Sequence, residues 1–298
     1  MSAQFTRRYA LTLLGGALGT LAGCQRTRPD SIVIGSKNFT EQIVLAELLA
    51  QQVEAHTSLR VDRRLNLGGT LICHRAMLAG QMDIYAEYTG TALAAVLKEP
   101  LSNDPDAVYR AVRDGYRDRF GFDVGPPLGF NNTFAIVIRS ADAKKLKLQT
   151  ISDLVPHARQ WRAGFGYEFM ERSDGYPGLA RAYGLKFAAA PSIMDLGLLY
   201  RALKEHQVDV VAGSSTDGLI MALDMVILED NRHFFPPYQA VTIVRGGTLR
   251  DHPELHAPLD ALGGKISDSE MRQLNYAVDA QQRDPGAVAR DFRRQKNL

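Results

Sequence analysis

A chain of 298 residues with 45% hydrophobic and 23% charged residues has the composition of an ordinary globular protein, with enough length for one large core or two moderate ones. Its formal net charge of +2 is too small to imply nucleic acid. Disorder, collagen and repeat arrays are likewise excluded by composition.

The first predicted element is an export signal. Arg7 and Arg8 precede an apolar run from Tyr9 to Leu21, rich in Leu, Ala and Gly. This is the charged-then-apolar order of a bacterial signal peptide, too short and glycine-rich for a membrane-spanning helix. It ends in Leu21-Ala22-Gly23-Cys24, which has the form of a lipobox. The expectation is a signal peptide over residues 1–23, a lipid-modified Cys24 and a short polar tether over residues 24–30. An ordinary signal peptide cut near a cysteine is the alternative. Thr6-Arg7-Arg8-Tyr9-Ala10-Leu11 also resembles a twin-arginine signal, so the export route stays open.

Removing residues 1–23 leaves 33 basic and 33 acidic residues. A neutral mature chain suits a small zwitterionic or monocationic ligand better than a polyanion. With Cys24 lipidated, Cys73 has no partner and a disulfide framework is excluded. Cys73 and His74 are adjacent rather than spaced as zinc ligands, and read as a half-buried thiol beside a helix histidine. No metal and no cofactor are expected.

The mature chain alternates strand and helix. Ser31–Gly35 is a short apolar β run. Asn38 with Glu41 three residues on has the form of a capping box, ahead of an apolar helical stripe of Val44, Leu45, Leu48, Leu49 and Val53. Leu59–Leu65 reads as a second strand. Gly68-Gly69-Thr70 opens a helix through Leu78, either as a tight turn or as an anion site at a helix N-terminus. Met82–Tyr85 is a third strand. Further on, Ala135–Ile138, Val208–Ala212, Met225–Leu228 and Ala240–Val244 are β candidates. Asp195–Lys204 is helical, and so is the polar stretch from Ser267.

This order implies an α/β protein with mainly parallel sheets covered by helices. No linker rich in Pro or Ser divides the chain, so two lobes would share interwoven connections. Ligands of open α/β sheets bind beyond the carboxyl ends of the strands. Here those places are Ser36-Lys37, Glu87-Tyr88-Thr89-Gly90-Thr91 and Gly213-Ser214-Ser215-Thr216.

Seven segments, in order over roughly residues 31–245, carry a family resemblance. They are Gly35–Gln42, Asn66–Thr70, Asp83–Thr91, Gly129–Phe134, Glu171–Gly175, Ser215–Gly218 and His233–Tyr238. Together they closely resemble the substrate-binding proteins of glycine betaine/carnitine/choline ABC transporters. The resemblance implies a type II periplasmic-binding-protein fold of two lobes, with residues 31–133 plus 234–298 in lobe I and residues 134–233 in lobe II. The ligand would lie in the interlobe cleft, reached by hinge closure. It further implies a periplasmic or cell-surface lipoprotein, monomeric, that works with an ABC permease and its ATPase subunit.

A quaternary ammonium cannot donate a hydrogen bond, so charge and π faces must hold it. By the resemblance, Tyr88 and Tyr238 match the family's tyrosine cage. Phe134 lies where many members carry Tyr, and Ser214 occupies a position that is aromatic in several, which leaves the cage incomplete. Lys37, Arg172 and Thr91 match anion-binding positions for a ligand carboxylate. Asn132 would orient the ligand or a ring, with Thr89 and Ser215 as minor contacts.

Each residue has a plainer reading beside this one. The tyrosines and Phe134 could be core rings, Lys37 a solvated loop charge, and Arg172 a partner of Asp174 or Glu171. The ligand could be a bulkier trimethylammonium compound such as ergothioneine or carnitine, or betaine held weakly. A sensory domain is a further alternative, and a hydrolase built on Ser214, Asp217 and His233 a remote one, since no Gly-x-Ser-x-Gly elbow is present.

Overall fold

The computed structural model describes residues 31–298. The expected signal peptide, Cys24 and the tether through residue 30 lie outside the described residues.

Among the described residues, ten strands form two five-stranded sheets. The chain starts in the first sheet with β1 (Ser31–Gly35), β2 (Arg60–Arg64), β3 (Ile84–Tyr88) and β4 (Phe122–Val124). It then builds the second with β5 (Phe134–Arg139), β6 (Ala163–Phe165), β7 (Ser192–Ile193), β8 (Val210–Ser214) and β9 (Met225–Leu228), and returns to the first with β10 (Ala240–Arg245). The strand orders are β2-β1-β3-β10-β4 and β7-β6-β8-β5-β9. In each sheet a parallel set is joined by an antiparallel strand from across the molecule: β10 lies antiparallel to β3 and β4. In the second sheet β5 lies antiparallel to β8 and β9.

The periodicities translate into packing. The helix Thr40–His56 presses Val44, Leu45, Leu48, Leu49 and Val53 onto Ile32, Ile34, Ile84 and Ala86. Burial of each such side chain contributes about 1.5–3 kcal/mol. On the opposite face, Val33 and Tyr85 of the sheet are covered by Cys73, Met77, Met82 and Tyr116. With helices on both faces, all five residues of β3 are buried, polar Glu87 included. The edge strand β2 instead alternates between exposed and half-buried positions.

The structure corrects several local expectations. No capping box forms at Asn38: the helix begins after Phe39 with no side-chain cap, and the Glu41 carboxylate is used elsewhere. A capping box does form between Ser267 and Glu270. The third strand is shifted, because Asp83 leaves the strand register to accept hydrogen bonds from Val33 N (2.8 Å) and the Thr248 hydroxyl (2.9 Å). Cys73 is fully rather than half buried, and burial pushes its thiol up to about 12. His74 is buried too, its ring edge-on to Phe120 at 4.6 Å. The helix Pro105–Phe120 was not among the expected elements. Its signals are nonetheless in the sequence: Asp104 as N-cap, Pro105 in the first turn and Gly121 in the left-handed conformation just past the end.

The chain crosses between the sheets after Val124 and again before Ala240, and the two crossings are bonded to each other. Asn132 N donates to Tyr238 O at 3.0 Å, and Tyr238 N donates to Asn131 Oδ1 at 2.6 Å. Such paired connections run side by side between the two sheets and set the site between them.

Candidate ligand-binding site

A cavity of about 610 Å³ opens between the two sheets, within the range of about 300–1,000 Å³ usual for small-molecule sites. Lys37, Tyr88, Thr91, Asn132, Phe134, Arg172, Ser214 and Tyr238 all line it. Thr89 and Ser215 do not. Thr89 Oγ1 accepts from Gln239 N (3.1 Å) and donates to Pro237 O (3.2 Å). Ser215 Oγ accepts from Thr133 N (3.2 Å) and donates to Asn131 O (3.4 Å). Both hydroxyls therefore brace the crossing segments.

The rings arrive from different elements. Tyr88 ends β3, Phe134 begins β5, and Tyr238 stands on the second crossing. Phe134 meets Tyr238 edge-on at 5.6 Å and Phe169 at 4.8 Å. Phe39 stacks on Tyr88 at 6.4 Å and also lines the cavity. Two of these rings carry a protein cation on one face already. Lys37 Nζ lies 4.6 Å from the Tyr88 centroid, and Arg172 Cζ lies 5.0 Å from that of Phe134.

Both cations are paired. Lys37 is buried and forms an ion pair with buried Glu87, and it donates to Thr70 Oγ1 at 3.2 Å. A solvated loop charge is thus excluded. Arg172 grips Asp174 with two hydrogen bonds, Nε to Oδ1 at 2.8 Å and Nη2 to Oδ2 at 2.5 Å. It also donates to Thr91 Oγ1 at 3.2 Å. Asp174 is fully buried and accepts the Tyr238 hydroxyl at 2.6 Å. The remaining Arg172 edge, Nη1, has Glu168 at 3.8 Å.

Two further carboxylates belong to the site's surroundings: Glu41, read from the sequence only as a helix-capping acid, and Asp217, read there only as part of the remote hydrolase alternative. Glu41 is buried and accepts from the Tyr88 hydroxyl (2.6 Å), Asn132 Nδ2 (2.7 Å), the Thr216 hydroxyl (2.5 Å) and Asn275 Nδ2 (2.9 Å). Burial pushes its pKa up, and the four donors oppose that rise. It gathers β3, a crossing, the loop after the central strand β8 of the second sheet and the helix Asp268–Asp279 onto one atom pair. Asp217 lies on the cavity wall, where desolvation pushes its carboxyl up to about 7. It accepts from Ser214 N at 2.9 Å and from the Tyr200 hydroxyl.

Glu168 links the two halves across the cavity mouth: Thr70 N, in the first turn of the helix Thr70–Leu78, donates to its Oε1 at 2.7 Å. The helix N-terminus is thus met by the protein's own carboxylate. A Cβ on Gly69 would lie only 2.1 Å from that oxygen.

No hydrolase constellation is assembled. His233 is exposed, does not line the cavity, and offers its carbonyl to Asn103 Nδ2 at 2.9 Å. Among the described residues no cluster of His, Cys, Asp and Glu could hold a metal ion. No helix among them is long and apolar enough to cross a membrane.

Two sheet-built lobes, paired crossings and a ring-lined cavity between them define a hinged solute-binding protein. Residues 30–295 match the family described as the substrate binding domain of the ABC-type glycine betaine transport system, and the chain belongs to that family. It is 37% identical to the carnitine transport binding protein OpuCC of Listeria monocytogenes, over 100% of this chain and 98% of that protein. It is 34% identical to a glycine-betaine-binding protein of Pseudomonas aeruginosa, over 90% and 89%. A protein of Helicobacter pylori described as an ergothioneine transport permease/ergothioneine binding protein, EgtU, is 35% identical over 88% of this chain and 47% of its own length. Among solved structures, a glycine betaine/carnitine/choline ABC transporter protein superposes with a TM-score of 0.74 at 35% identity, covering 89% of this chain and 98% of its own. These neighbours have the two-lobed type II arrangement expected from the sequence.

Proposed function

We propose that this chain captures a small quaternary-ammonium compound of the betaine, choline and carnitine type outside the cytoplasm and delivers it to the permease and ATPase of an ABC importer. The observation that carries this is the convergence of Tyr88, Phe134, Tyr238 and Phe39 on one interlobe cavity. Such rings attract a methylated cation through their quadrupoles, at about 0.5–2 kcal/mol each. In this reading Asn132 orients the Tyr88 side through Glu41, while Thr91 and Arg172 Nη1, which has only Glu168 at 3.8 Å, meet the ligand's oxygen. Lys37 fixes the Tyr88 ring, and Ser214 opens the second lobe's wall. Thr89 and Ser215 act only through the crossing segments. The role is binding and presentation, with no catalytic residue.

Lobe I then comprises residues 31–133 and 234–298, and lobe II residues 134–233. The chain acts as a monomer tethered by a lipid on Cys24 after export. The cavity volume also leaves room for a bulkier trimethylammonium compound, and the Helicobacter pylori relative's name supports that class as a second reading.

Phe134→Leu is the cleanest test, because it removes a π face without stranding a hydroxyl partner. Calorimetric titration with choline, glycine betaine and carnitine is expected to show a loss of about 0.5–2 kcal/mol for whichever compound the wild type binds. Unchanged affinity for that compound would refute the cage.

A further inference from the structure

Away from the rings, the two lobes meet through carboxylates. Asp217 follows the end of β8, on the Gly213 and Tyr200 side of the second sheet. Its carboxylate accepts from Ser214 N at 2.9 Å and from the Tyr200 hydroxyl. From the first lobe, Asp279 ends the helix Asp268–Asp279 and accepts the Thr40 hydroxyl. Both acids line the interlobe cavity.

The loop that carries Asp217 is pressed onto the first lobe. Asn275 Nδ2 donates to Thr216 O at 3.0 Å, and the Thr216 hydroxyl donates to Glu41 at 2.5 Å. A Cβ on Gly218 would lie 2.4 Å from Tyr276 N. Asp217 thus sits between two residues in contact with the first lobe. It feels the charges of Glu41 and Asp279 from there, and has Tyr200 against it from the helix Leu196–Lys204. Asp195, at the start of that helix, lines the same cavity and is exposed. The basic residues on these packed helices are Arg201, paired with Glu205, exposed Lys204, and Arg272. Among the described residues none of them bonds to Glu41, Asp217 or Asp279, whose donors are all neutral. The cations on the cavity wall, Lys37 and Arg172, are held by Glu87 and Asp174. No histidine lines the cavity.

Burial pushes all three carboxyls up, and Asp217 reaches about 7 with the charges of Glu41 and Asp279 adding to the effect of desolvation. Opening the lobes admits water and parts Asp217 from Asp279, so the open form holds that proton less tightly. The closed form therefore carries the extra proton in the window below about 7, and its advantage is lost as pH rises through that value. We propose that closure of the lobes takes a proton from solvent onto Asp217, so that the protein captures its ligand more tightly in acidic than in neutral medium. This rests on the capture reading through its hinge closure alone, whichever compound is bound.

The test titrates choline, glycine betaine and carnitine by calorimetry into the wild type, Asp217→Asn and Asp279→Asn, in two buffers of different ionisation enthalpy. Whichever compound binds is expected to bind the wild type about tenfold more weakly at about pH 8 than at about pH 6, with proton uptake on binding. Asp217→Asn should flatten the profile and abolish the uptake, and Asp279→Asn should make the profile shallower. Asp118→Asn, on an exposed face of the helix Pro105–Phe120, should keep the wild-type slope. A flat wild-type profile, or one that Asp217→Asn and Asp279→Asn both leave unchanged, overturns the switch; if Asp217→Asn does not fold, an unchanged slope in Asp279→Asn does so. Failure of all three compounds to bind at any pH overturns the quaternary-ammonium reading, and X-ray scattering of the ligand-free protein then decides the switch. Its radius of gyration should grow from about pH 6 to about pH 8 in the wild type and less in Asp279→Asn, and equal growth or none overturns it.

Discussion

The two buried ion pairs of the cavity have the same chemistry and different reach. Lys37, Glu87 and their neighbour Thr70 all come from the chain segment that builds the first sheet and its helices. Arg172 and Asp174 belong to the second half, yet bond to Thr91 and Tyr238 outside it. The first pair stiffens one lobe. The second ties the lobes together, so the same substitution should read out differently at the two places.

Cutting each pair gives the largest effect. Arg172→Ala leaves Asp174 buried beside one hydroxyl donor, and Lys37→Ala leaves Glu87 with Tyr88 N at 2.7 Å and the Tyr85 hydroxyl at 3.3 Å. Each is expected to lower unfolding free energy in urea by about 3–5 kcal/mol. Only the Arg172 variant should also increase protease cleavage in the crossing segments.

The hydroxyls sharpen the comparison at a smaller scale. Tyr238→Phe takes from Asp174 its only donor besides Arg172 seen among the described contacts, and is expected to cost about 1.5–3 kcal/mol. Tyr88→Phe leaves Glu41 with three donors, from Asn132, Thr216 and Asn275, and should cost about 0.5–1.5 kcal/mol. Thermal unfolding of the two variants side by side checks the order.

The smallest effect belongs to the half-exposed Glu168. Glu168→Gln keeps an acceptor for Thr70 N but loses the charge that faces the helix N-terminus. The expected loss is about 0.3–1 kcal/mol, measured by denaturant midpoint at low salt and diminished at high salt.

The alternation of apolar runs made the sheets legible, because strand and helix periods are local properties of the chain. Tyr88 and Tyr238 were legible as candidates, and line the cavity, because they sit in motif-bearing segments at or near strand ends. The carboxylate partnerships were not. Glu41 finds its donors 91, 175 and 234 residues away at Asn132, Thr216 and Asn275, and no spacing rule reaches that far. The same distance effect misled the local reading of Glu41: three residues after Asn38 it looks like a helix-capping acid, and tertiary contacts claimed it instead. Thr89 and Ser215 show the converse, since they neighbour the cavity in sequence while their hydroxyls turn to backbone. Tyr200 lies in a helix whose apolar face gave no hint of a hydroxyl reaching past Gly213.

Gly69 gives the mouth of the cavity its clearance. Where its bare α-carbon passes the Glu168 carboxylate, there is space for a hydrogen atom and nothing larger. A single methyl at that spot would work as a doorstop between Gly69 and the Glu168 carboxylate. The close approach of the two halves at this point thus hangs on the smallest side chain in the protein alphabet.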